Sequence, residues 1–280
     1  ADMVLKSKVR ISSILFRFVV ILLTAAVAFL AIGLIGYLLK KGLPYVNRAF
    51  LFTEPDILMD SYGIKPMIIN TIYTVVLTLI FCIPLGIGSA IYLAEYARKS
   101  SFFVKIINVA NETLSGIPSI VYGLFGFLAF VISKKWGYSL SAGVITLAIM
   151  VLPLIIRTSQ EAILGVDNSF REASYGLGAG KLRTVFKIVL PSAMPGILSG
   201  IILAIGRIVG ETAALIYTAG TVPEVATSLT SSSRTISVHL YCLLNEGLYT
   251  EQAYATAVVL IIFVVIINAL SNFLAKKIIK

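Results

Sequence analysis

The sequence predicts an all-α integral membrane protein, a bundle of six transmembrane helices. Of its 280 residues, 58% are apolar and only 13% are charged, whereas a soluble domain has about a quarter charged residues. Six stretches are also long enough to cross a bilayer, which takes about 20 mainly apolar residues. One membrane domain over residues 14–275 therefore accounts for nearly the whole chain.

Charged, proline-containing or polar segments separate the six predicted spans. In chain order, the spans cover residues 14–39, 66–93, 113–132, 138–156, 196–219 and 254–275. The third is the least regular, because Ser115, Gly116 and Pro118 lie near its start, although neighbouring helices can satisfy backbone groups that a proline frees. The amphipathic segment before it, from Phe102 to Asn111, is expected to lie in the membrane interface.

The distribution of basic residues predicts the orientation of the bundle. The net charge is +10, and most lysines and arginines outside the spans fall on one side when the two termini share that side. Because such residues concentrate in cytoplasmic loops, both tails (residues 1–13 and 276–280) are expected in the cytoplasm. The bases are scattered singly between apolar runs, which argues against nucleic-acid binding.

Two outer connections are long. Residues 40–65 form a polar, proline-marked loop, and residues 220–253 begin rich in threonine and serine. The second connection then becomes amphipathic, with apolar residues at Ile236, Leu240 and Leu243. That stretch is expected either to lie at the outer surface or to cover the pore.

Few residues could support catalysis or bind a metal. Cys82, Cys242 and His239 are far apart in sequence and are expected to pack in the bundle, with no disulfide framework and no metal site. No Gly-x-x-x-x-Gly-Lys-Ser/Thr loop is present to hold nucleotide phosphates. The chain is therefore not expected to be an enzyme, to hydrolyse ATP or to carry a cofactor.

The longest inner segment, residues 157–195, predicts a helix-turn-helix. Small residues in its first half permit close packing, and Gly178 and Gly180 suit a turn with positive φ. Pro191 and Pro195 are expected to end the second helix before the fifth span. From the residues alone, the segment is either a plain cytoplasmic hairpin or a docking element.

This segment resembles the EAA loop of ABC importer permeases. The family pattern is matched, with the small residue Ser174 in place of its second alanine, at Glu172, Ala173, Gly178, Ile188, Leu190 and Pro191. The resemblance implies the type I ABC importer (MetI-like) permease fold. It also implies that residues 157–195 dock on an ATPase subunit and that Glu172 and its neighbours transmit the ATPase's motion to the spans.

A charged pair is predicted inside the fifth span. Arg207 and Glu211 are four residues apart, so they share a helix face and can pair. A charge within a span normally faces a bundle interior or a water-filled cavity. The pair is therefore either a structural lock or an anion site, since a guanidinium suits a tetrahedral oxyanion. A second such pair, Arg157 and Glu161, lies at the inner end of the fourth span.

A closer resemblance concerns the substrate. Residues 115–126 look like the third-span signature of phosphate ABC permeases, and residues 207–215 are similar to their fifth-span signature, in the PstA type. The resemblance implies phosphate import, with Arg207, Glu211 and Arg157 in the substrate pathway. Another oxyanion (sulfate, molybdate or tungstate), an ATP-independent transporter or channel, and a scaffold subunit remain alternatives.

The same resemblance implies a set of partners in a bacterial or archaeal plasma membrane. These are a second, PstC-like permease that forms the other half of the pore, and a PstB-like ATPase dimer that binds ATP and Mg. An extracytoplasmic PstS-like phosphate-binding protein completes the set. Membrane lipid surrounds the spans, and no nucleic acid is expected.

Overall fold

The computed structural model describes residues 11–56, 61–98, 101–247 and 249–279. Residues 1–10 of the predicted tail 1–13 lie outside the described residues, as does residue 280 of the predicted tail 276–280. Five helices are each long and apolar enough to cross a membrane, and a bent pair of helices supplies a sixth span. The predicted all-α, six-span architecture is thereby confirmed.

The long helices form most of the bundle. They are α1 (Ile11–Gly42), α3 (Lys65–Ile91), α6 (Leu140–Leu164), α9 (Leu190–Val209) and α12 (Thr250–Ile279). A π-helical turn, Tyr92–Tyr96, extends α3. In the described part of the chain, the extended structure is a two-residue antiparallel pairing, β1 (Pro55–Asp56) with β2 (Ser61–Tyr62).

Shorter helices lie between these spans. They are α2 (Arg48–Phe52), α4 (Phe102–Gly116), α5 (Ser119–Gly126), α7 (Asn168–Gly176), α8 (Lys181–Thr184), α10 (Ala213–Thr218) and α11 (Ile236–Glu246). Further π-helical segments extend α5 over Phe127–Ser133 and join α8 to α9 over Val185–Val189. A 3-10 turn, Leu43–Tyr45, follows α1.

Helix α6 is the central element, packing against α3, α9, α4 and α5. Its residues Leu147, Val151 and Ile155 are fully buried. They belong to the main apolar core, which α3 joins through Val75 and α9 through Ile208. Burial on this scale stabilises the bundle mainly through close packing, because lipid is as apolar as the core itself.

The third span differs from its prediction. Helix α4 continues to Gly116, and the chain then turns by 102° before α5 and its extension cross the bundle. Pro118 causes the turn, because a proline pushes the preceding residue out of the helical region, and Ile117 is extended (φ −72°, ψ 131°). The predicted span 113–132 therefore contains the bend, and the amphipathic helix before it is longer than expected.

The fifth span differs at both ends. Helix runs from Lys181 to Val209 through both prolines, so the prediction that Pro191 and Pro195 end a helix is wrong. Pro191 lies in the first turn of α9, where a missing N–H is tolerated. Helix α9 then ends before Gly210, and α10 starts afresh at Ala213. The predicted range 196–219 is thus two helices with a break.

Helix α11 packs into the bundle end remote from α7, which we call the distal end. Ile236 and Val238 are fully buried, and α11 contacts α12, α3 and α10. The loop before it is fixed by Asn70, whose amide donates to the Glu224 carbonyl (2.8 Å) and accepts from the Ala226 N–H (2.9 Å). The amphipathic stretch therefore covers the bundle interior.

Helix α1 stands apart from this packing. Its described side chains are exposed along most of its length, and it packs chiefly against α12. At their contact, a Cβ on Gly42 would collide with the Tyr254 backbone, so only glycine permits the approach. The Tyr37 ring meets the Tyr254 ring edge-on with 6.1 Å between centroids.

Candidate functional site

A groove of about 940 Å³ runs along one face of α9. Helix α9 supplies its floor, and α6 and α12 supply opposite walls. Its lining combines apolar and small residues with polar and charged ones: Leu154, Thr158, Glu161, Ala162, Gly196, Ser199, Gly200, Ile202, Leu203, Gly206, Arg207, Asn268 and Asn272. We call this concavity the α9 groove. A concavity between membrane-spanning helices that carries polar and charged groups is a typical place for a solute pathway.

Arg207 lies in the last turn of α9 and lines the groove. A cation is favoured there, because the helix C-terminus carries a partial negative charge. Among the described residues, no carboxylate lies within 4.0 Å of its guanidinium. The side chain is half-buried, so the groove offers a cation whose charge is not neutralised by a direct partner.

Glu211 does not pair with Arg207, contrary to the i, i+4 expectation. The two residues fall on opposite sides of the break after Val209, so no common helix face exists. Glu211 is buried, and its carboxylate accepts from the Ala214 N–H (3.1 Å), which caps the start of α10. Its backbone carbonyl accepts from the Ser237 hydroxyl (2.6 Å). Glu211 is absent from the groove lining.

The second predicted pair does form. The Arg157 Nε donates to the Glu161 carboxylate at 3.0 Å, and both side chains are more than half exposed. Glu161 lines the groove. Since solvent screens an exposed pair of this kind, the pair does little for stability, and its carboxylate sits where the groove approaches the hairpin end.

Sequence reasoning missed four polar residues of the groove: Thr158, Ser199, Asn268 and Asn272. The Asn268 Oδ1 atom is buried without a hydrogen-bond partner, which is uncommon for a buried polar group. Asn268 and Asn272 are one turn apart on α12, so both amides lie on the same side of that helix, in the wall of the groove. Two asparagines at that spacing in an otherwise apolar span were the available sequence signal.

The predicted inner hairpin is present, with α7 as its first arm and residues 181–189 as its second. The Ser174 hydroxyl bonds the Thr184 hydroxyl at 2.8 Å in a buried contact between the arms. Gly178 has a φ of +82°, as predicted for the turn. Gly180 has a φ of −72° and precedes α8 in extended geometry, so the prediction of a positive φ there is wrong.

The surface of this hairpin carries exposed apolar side chains, and nothing in the described chain covers them. Leu177, at the tip, is 90% exposed, and Leu182 and Phe186 are also exposed. Beside them is a groove of about 450 Å³ lined by Ser174, Leu177, Gly178, Ala179, Arg183, Lys187 and Ile188. Exposed leucine and phenylalanine side chains of this kind mark an interaction surface.

The predicted motif residues take different places on the hairpin. Glu172 and Ala173 are exposed on α7, and Pro191 is exposed at the start of α9. Ser174 is buried between the arms, while Ile188 and Leu190 are half-buried. The motif therefore combines a few surface residues with residues that hold the hairpin together.

Residues 83–280 match the family described as "Binding-protein-dependent transport system inner membrane component". The match covers most of the chain and includes the hairpin and the α9 groove. The chain belongs to this family. It is thus a multi-pass inner-membrane permease subunit, of the ABC class, whose family acts with an ATPase and a substrate-binding protein.

Named relatives of the permease cover nearly its whole length. The "Probable ABC transporter permease protein YqgI" of Bacillus subtilis (strain 168) is 32% identical over 92% of this chain and 93% of its own. The "Phosphate transport system permease protein PstA" of Yersinia pestis is 36% identical over 85% of this chain and 81% of its own.

Solved structures give the fold of the permease. One chain of a bacterial ABC transporter for import of the acidic polysaccharide alginate has a TM-score of 0.68 at 17% identity, covering 95% of this chain and 96% of that one. A chain of the MetNI methionine ABC transporter has a TM-score of 0.57 at 17% identity, covering 75% of this chain and 91% of that one. The predicted MetI-like fold is confirmed.

Proposed function

We propose that this chain is the membrane-spanning permease subunit of an ATP-driven importer of inorganic phosphate. Several relatives at 32–36% identity, from different bacteria, are named phosphate transport system permease PstA. The observation that carries the proposal is Arg207, a half-buried guanidinium without a carboxylate partner among the described residues, in the α9 groove. Such a cation in a family of permeases fits an anionic solute.

The chemical groups of the groove suit the passage of an oxyanion better than its tight binding. The planar guanidinium fork of Arg207 matches two phosphate oxygens. The Ser199 hydroxyl and the Asn268 amide would add neutral hydrogen bonds, which hold an anion less strongly than a second cation would. Glu161, toward the hairpin end, would repel the anion and favour its release. Arg157, paired with Glu161, would stand at the exit, and Glu211 would support the pathway indirectly by capping α10.

The α9 groove is open along one side, so one chain encloses half of a pathway. In the proposed complex, a second permease covers the open side, and the pore lies between the two subunits. This partner is a PstC-like chain in a heterodimer. Lipid surrounds the outer faces of the two bundles.

The hairpin is the proposed contact with the energy source. A PstB-like ATPase dimer would hold ATP and Mg and bury the exposed tip around Leu177. ATP hydrolysis belongs to that partner, which makes this chain a transporter subunit and not an enzyme. Closure of the ATPases would bring the two permeases' hairpins together, and rigid-body motion of the spans would switch access to the groove.

The remaining assignments concern the side of the membrane on which each part of the chain lies. The hairpin and both termini are cytoplasmic in this proposal, which agrees with the bias in basic residues. The distal end, with α11 and its fixed loop, then faces outward and receives phosphate from a PstS-like binding protein. The membrane is the plasma membrane of a bacterium or archaeon.

Phosphate uptake into proteoliposomes tests the substrate. The complex is reconstituted with external binding protein and internal ATP, and uptake of radiolabelled phosphate is compared with uptake of sulfate, molybdate and tungstate. We expect ATP-dependent uptake of phosphate alone. We expect Arg207→Gln to lower it by at least about tenfold, because removing one charge-assisted contact costs roughly 1.5–3 kcal/mol.

Arg98→Gln is the matched control, since Arg98 is an exposed arginine outside the groove, and its uptake should equal that of the wild type. Uptake of another oxyanion in place of phosphate would overturn the substrate. Uptake without ATP would instead indicate a secondary transporter or channel. Full uptake by Arg207→Gln would leave this chain as a scaffold whose partner holds the anion.

A second experiment tests the docking role of the hairpin. Glu172 is exposed on α7 and joins no ion pair among the described residues, so Glu172→Lys should leave the bundle folded while disrupting the ATPase contact. We expect less ATPase to copurify and uptake to fall with an unchanged Tm of the isolated permease. Wild-type ATP-driven uptake by this variant would refute the role.

A further inference from the structure

Arg171, next to Glu172 in the hairpin, is hydrogen-bonded to several parts of the chain. Its Nε and Nη2 atoms donate to one carboxylate oxygen of Glu95, at 3.0 and 2.7 Å. Nη1 donates to the Val166 carbonyl (2.7 Å) and to Asn168 Oδ1 (3.3 Å), and Nη2 also donates to the Ile163 carbonyl (2.9 Å). One guanidinium thus joins three segments of the chain.

Burial makes this ion pair different from the others. The side chains of Arg171 and Glu95 are 13% and 7% exposed, whereas the Arg157 and Glu161 side chains are 58% and 64% exposed. A buried charge is costly when unpaired, so removing either partner is strongly unfavourable. Of the two carbonyls that accept from Arg171, Ile163 lies in the last turn of α6 and Val166 lies just beyond that helix.

Two further contacts join the same end of α3 to the hairpin. The Lys181 Nζ, on the second arm, lies 4.9 Å from the centroid of the Tyr96 ring, a cation–π distance. An apolar cluster also brings Ala90 and Ile91 of α3 against Val185 and Val189 of the second arm. The turn Tyr92–Tyr96 at the end of α3 therefore holds both arms of the hairpin.

Chain connectivity explains why these contacts between the end of α3 and the hairpin matter. The second arm continues as helix directly into α9, so any motion of the hairpin reaches the fifth span through the backbone. Helix α6 leads into the first arm. Glu95, just after α3, is by contrast 76 residues from Arg171 in sequence. Helix α3 packs along α6 in the bundle, but only side-chain contacts tie its inner end to the hairpin itself.

We propose that Arg171 and Glu95 form a clamp that makes the second span move as one rigid body with the hairpin and with the fourth and fifth spans. Arg171 is thus a positioning residue for energy coupling, distinct from the exposed residues that touch the ATPase. The proposal rests on the proposed function of the hairpin as the ATPase contact. Loss of the clamp would leave docking intact and would let the hairpin move without the second span.

The first test measures coupling in the assembled transporter. Glu95→Ala, Glu95→Gln and Arg171→Lys are compared for copurified ATPase, ATP hydrolysis and phosphate imported per ATP. For Glu95→Ala and Arg171→Lys we expect assembly and hydrolysis to persist while phosphate imported per ATP falls roughly tenfold, which is an ordinary coupling energy. Glu95→Gln, which keeps one acceptor, should fall less.

Arg98→Gln is the control in this test also, because it removes an exposed charge at the same end of α3. An unchanged ratio of phosphate to ATP in Glu95→Ala and Arg171→Lys would overturn the clamp. So would equal losses of assembly, hydrolysis and uptake that leave the ratio per assembled complex unchanged, because that pattern indicates a purely structural pair.

The second test needs neither a clamp variant nor a transported substrate. Spin labels are placed at Tyr92→Cys and Phe170→Cys, both exposed positions, with Cys242 replaced by serine. The label distance is measured without nucleotide and after trapping with ATP and vanadate, with trapping verified by loss of ATPase activity. The clamp requires the same distance in both states, and a changed distance overturns it. Absent phosphate uptake by the wild type would refute the proposed substrate without affecting this result.

Discussion

Asn268 shows how a single side chain can favour function over stability. Its Oδ1 atom is buried in the wall of the α9 groove without a hydrogen-bond partner, and such an atom costs about 1–3 kcal/mol. Leucine has nearly the same shape and no polar atom. A permease that keeps asparagine at this position keeps an amide in the groove wall, whose N–H groups are the donors that suit an anion.

Asn268→Leu is therefore expected to raise the free energy of unfolding by about 1–3 kcal/mol and to lower phosphate uptake. Thermal unfolding in detergent measures the first effect, and proteoliposome uptake measures the second. Asn272→Leu is the comparison, because Asn272 is exposed in the same wall and its replacement removes no buried unpaired atom. A lower Tm for Asn268→Leu would contradict the expectation.

His239 provides a pH-dependent test at the distal end. Burial, aided by the charge of Arg234, lowers the pKa of His239 from 6.5 to about 3. Its Nδ1 atom lies 3.3 Å from an Arg234 guanidinium nitrogen, so the neutral ring accepts that bond. Because the folded pKa is below the unfolded one, the unfolded chain binds a proton first as the pH falls, and stability decreases below about pH 6.5.

We expect the wild type to lose about 1 kcal/mol more than His239→Gln between pH 7.5 and pH 5.5, since one pKa unit corresponds to about 1.4 kcal/mol. Thermal unfolding of both proteins at the two pH values measures the difference. Parallel pH dependences would show that His239 does not titrate differently in the folded and unfolded chains.

The residues of the site differ in how far their partners could be predicted. Arg157 and Glu161 lie on an unbroken helix, so their spacing was sufficient to predict the contact. The same spacing failed for Arg207 and Glu211, because the break after Val209 depends on the packing of α10 and α11. The Arg171–Glu95 contact spans 76 residues, and no local pattern indicates it.

At the scale of elements, the hairpin turn separates two glycines that look alike in sequence. Gly178 has a φ of +82° and Gly180 a φ of −72°, and a Cβ added at either glycine would meet no neighbouring atom within 4 Å. Steric space is therefore equal at the two positions. Only backbone conformation distinguishes them.

Gly178→Ser is expected to destabilise the hairpin by about 1–2 kcal/mol, because a residue with a Cβ is disfavoured at positive φ. Gly180→Ser should be neutral, since serine is a good residue before a helix. Hydrogen exchange over residues 168–189 measures the local stability. Equal exchange in the two variants would contradict the assigned turn conformations.

The apolar runs were sufficient to predict which segments are helical. The ends of the helices were harder to predict, because the effect of a proline depends on the structure around it. Pro118 ends α4 with a sharp bend, as a proline after a polar, glycine-containing segment favours. Pro191, in contrast, does not end the helix. The π-helical turn before it places this proline in the first turn of α9, so the helix continues through it. The sequence contains no local signal for that turn, which packing of Val185 and Val189 stabilises.

At the scale of the whole molecule, the open α9 groove predicts the face that meets the second permease. Leu203 is 60% exposed in the groove lining, and Ile266 is 51% exposed on α12 outside it. A cysteine at each position reports whether a partner covers that face. Both sites are comparably exposed in this chain alone.

Leu203→Cys should react with a maleimide in the isolated subunit and become at least about tenfold slower after assembly, since a partner subunit would exclude the reagent. Ile266→Cys should react equally in both preparations. Labelling rates in the Cys242→Ser background give the comparison. Unchanged reactivity at Leu203→Cys would place the second permease on another face.

The contact between α1 and α12 has a consequence for biosynthesis. Among the described helices, α1 leaves the ribosome before the others, yet its main packing partner, α12, is synthesised after them and meets it through Gly42 and Tyr254. Until α12 has been synthesised, α1 must therefore remain in lipid without its packing partner, and its own hydrophobicity keeps it there. Only after α12 has been synthesised can the two helices close on each other.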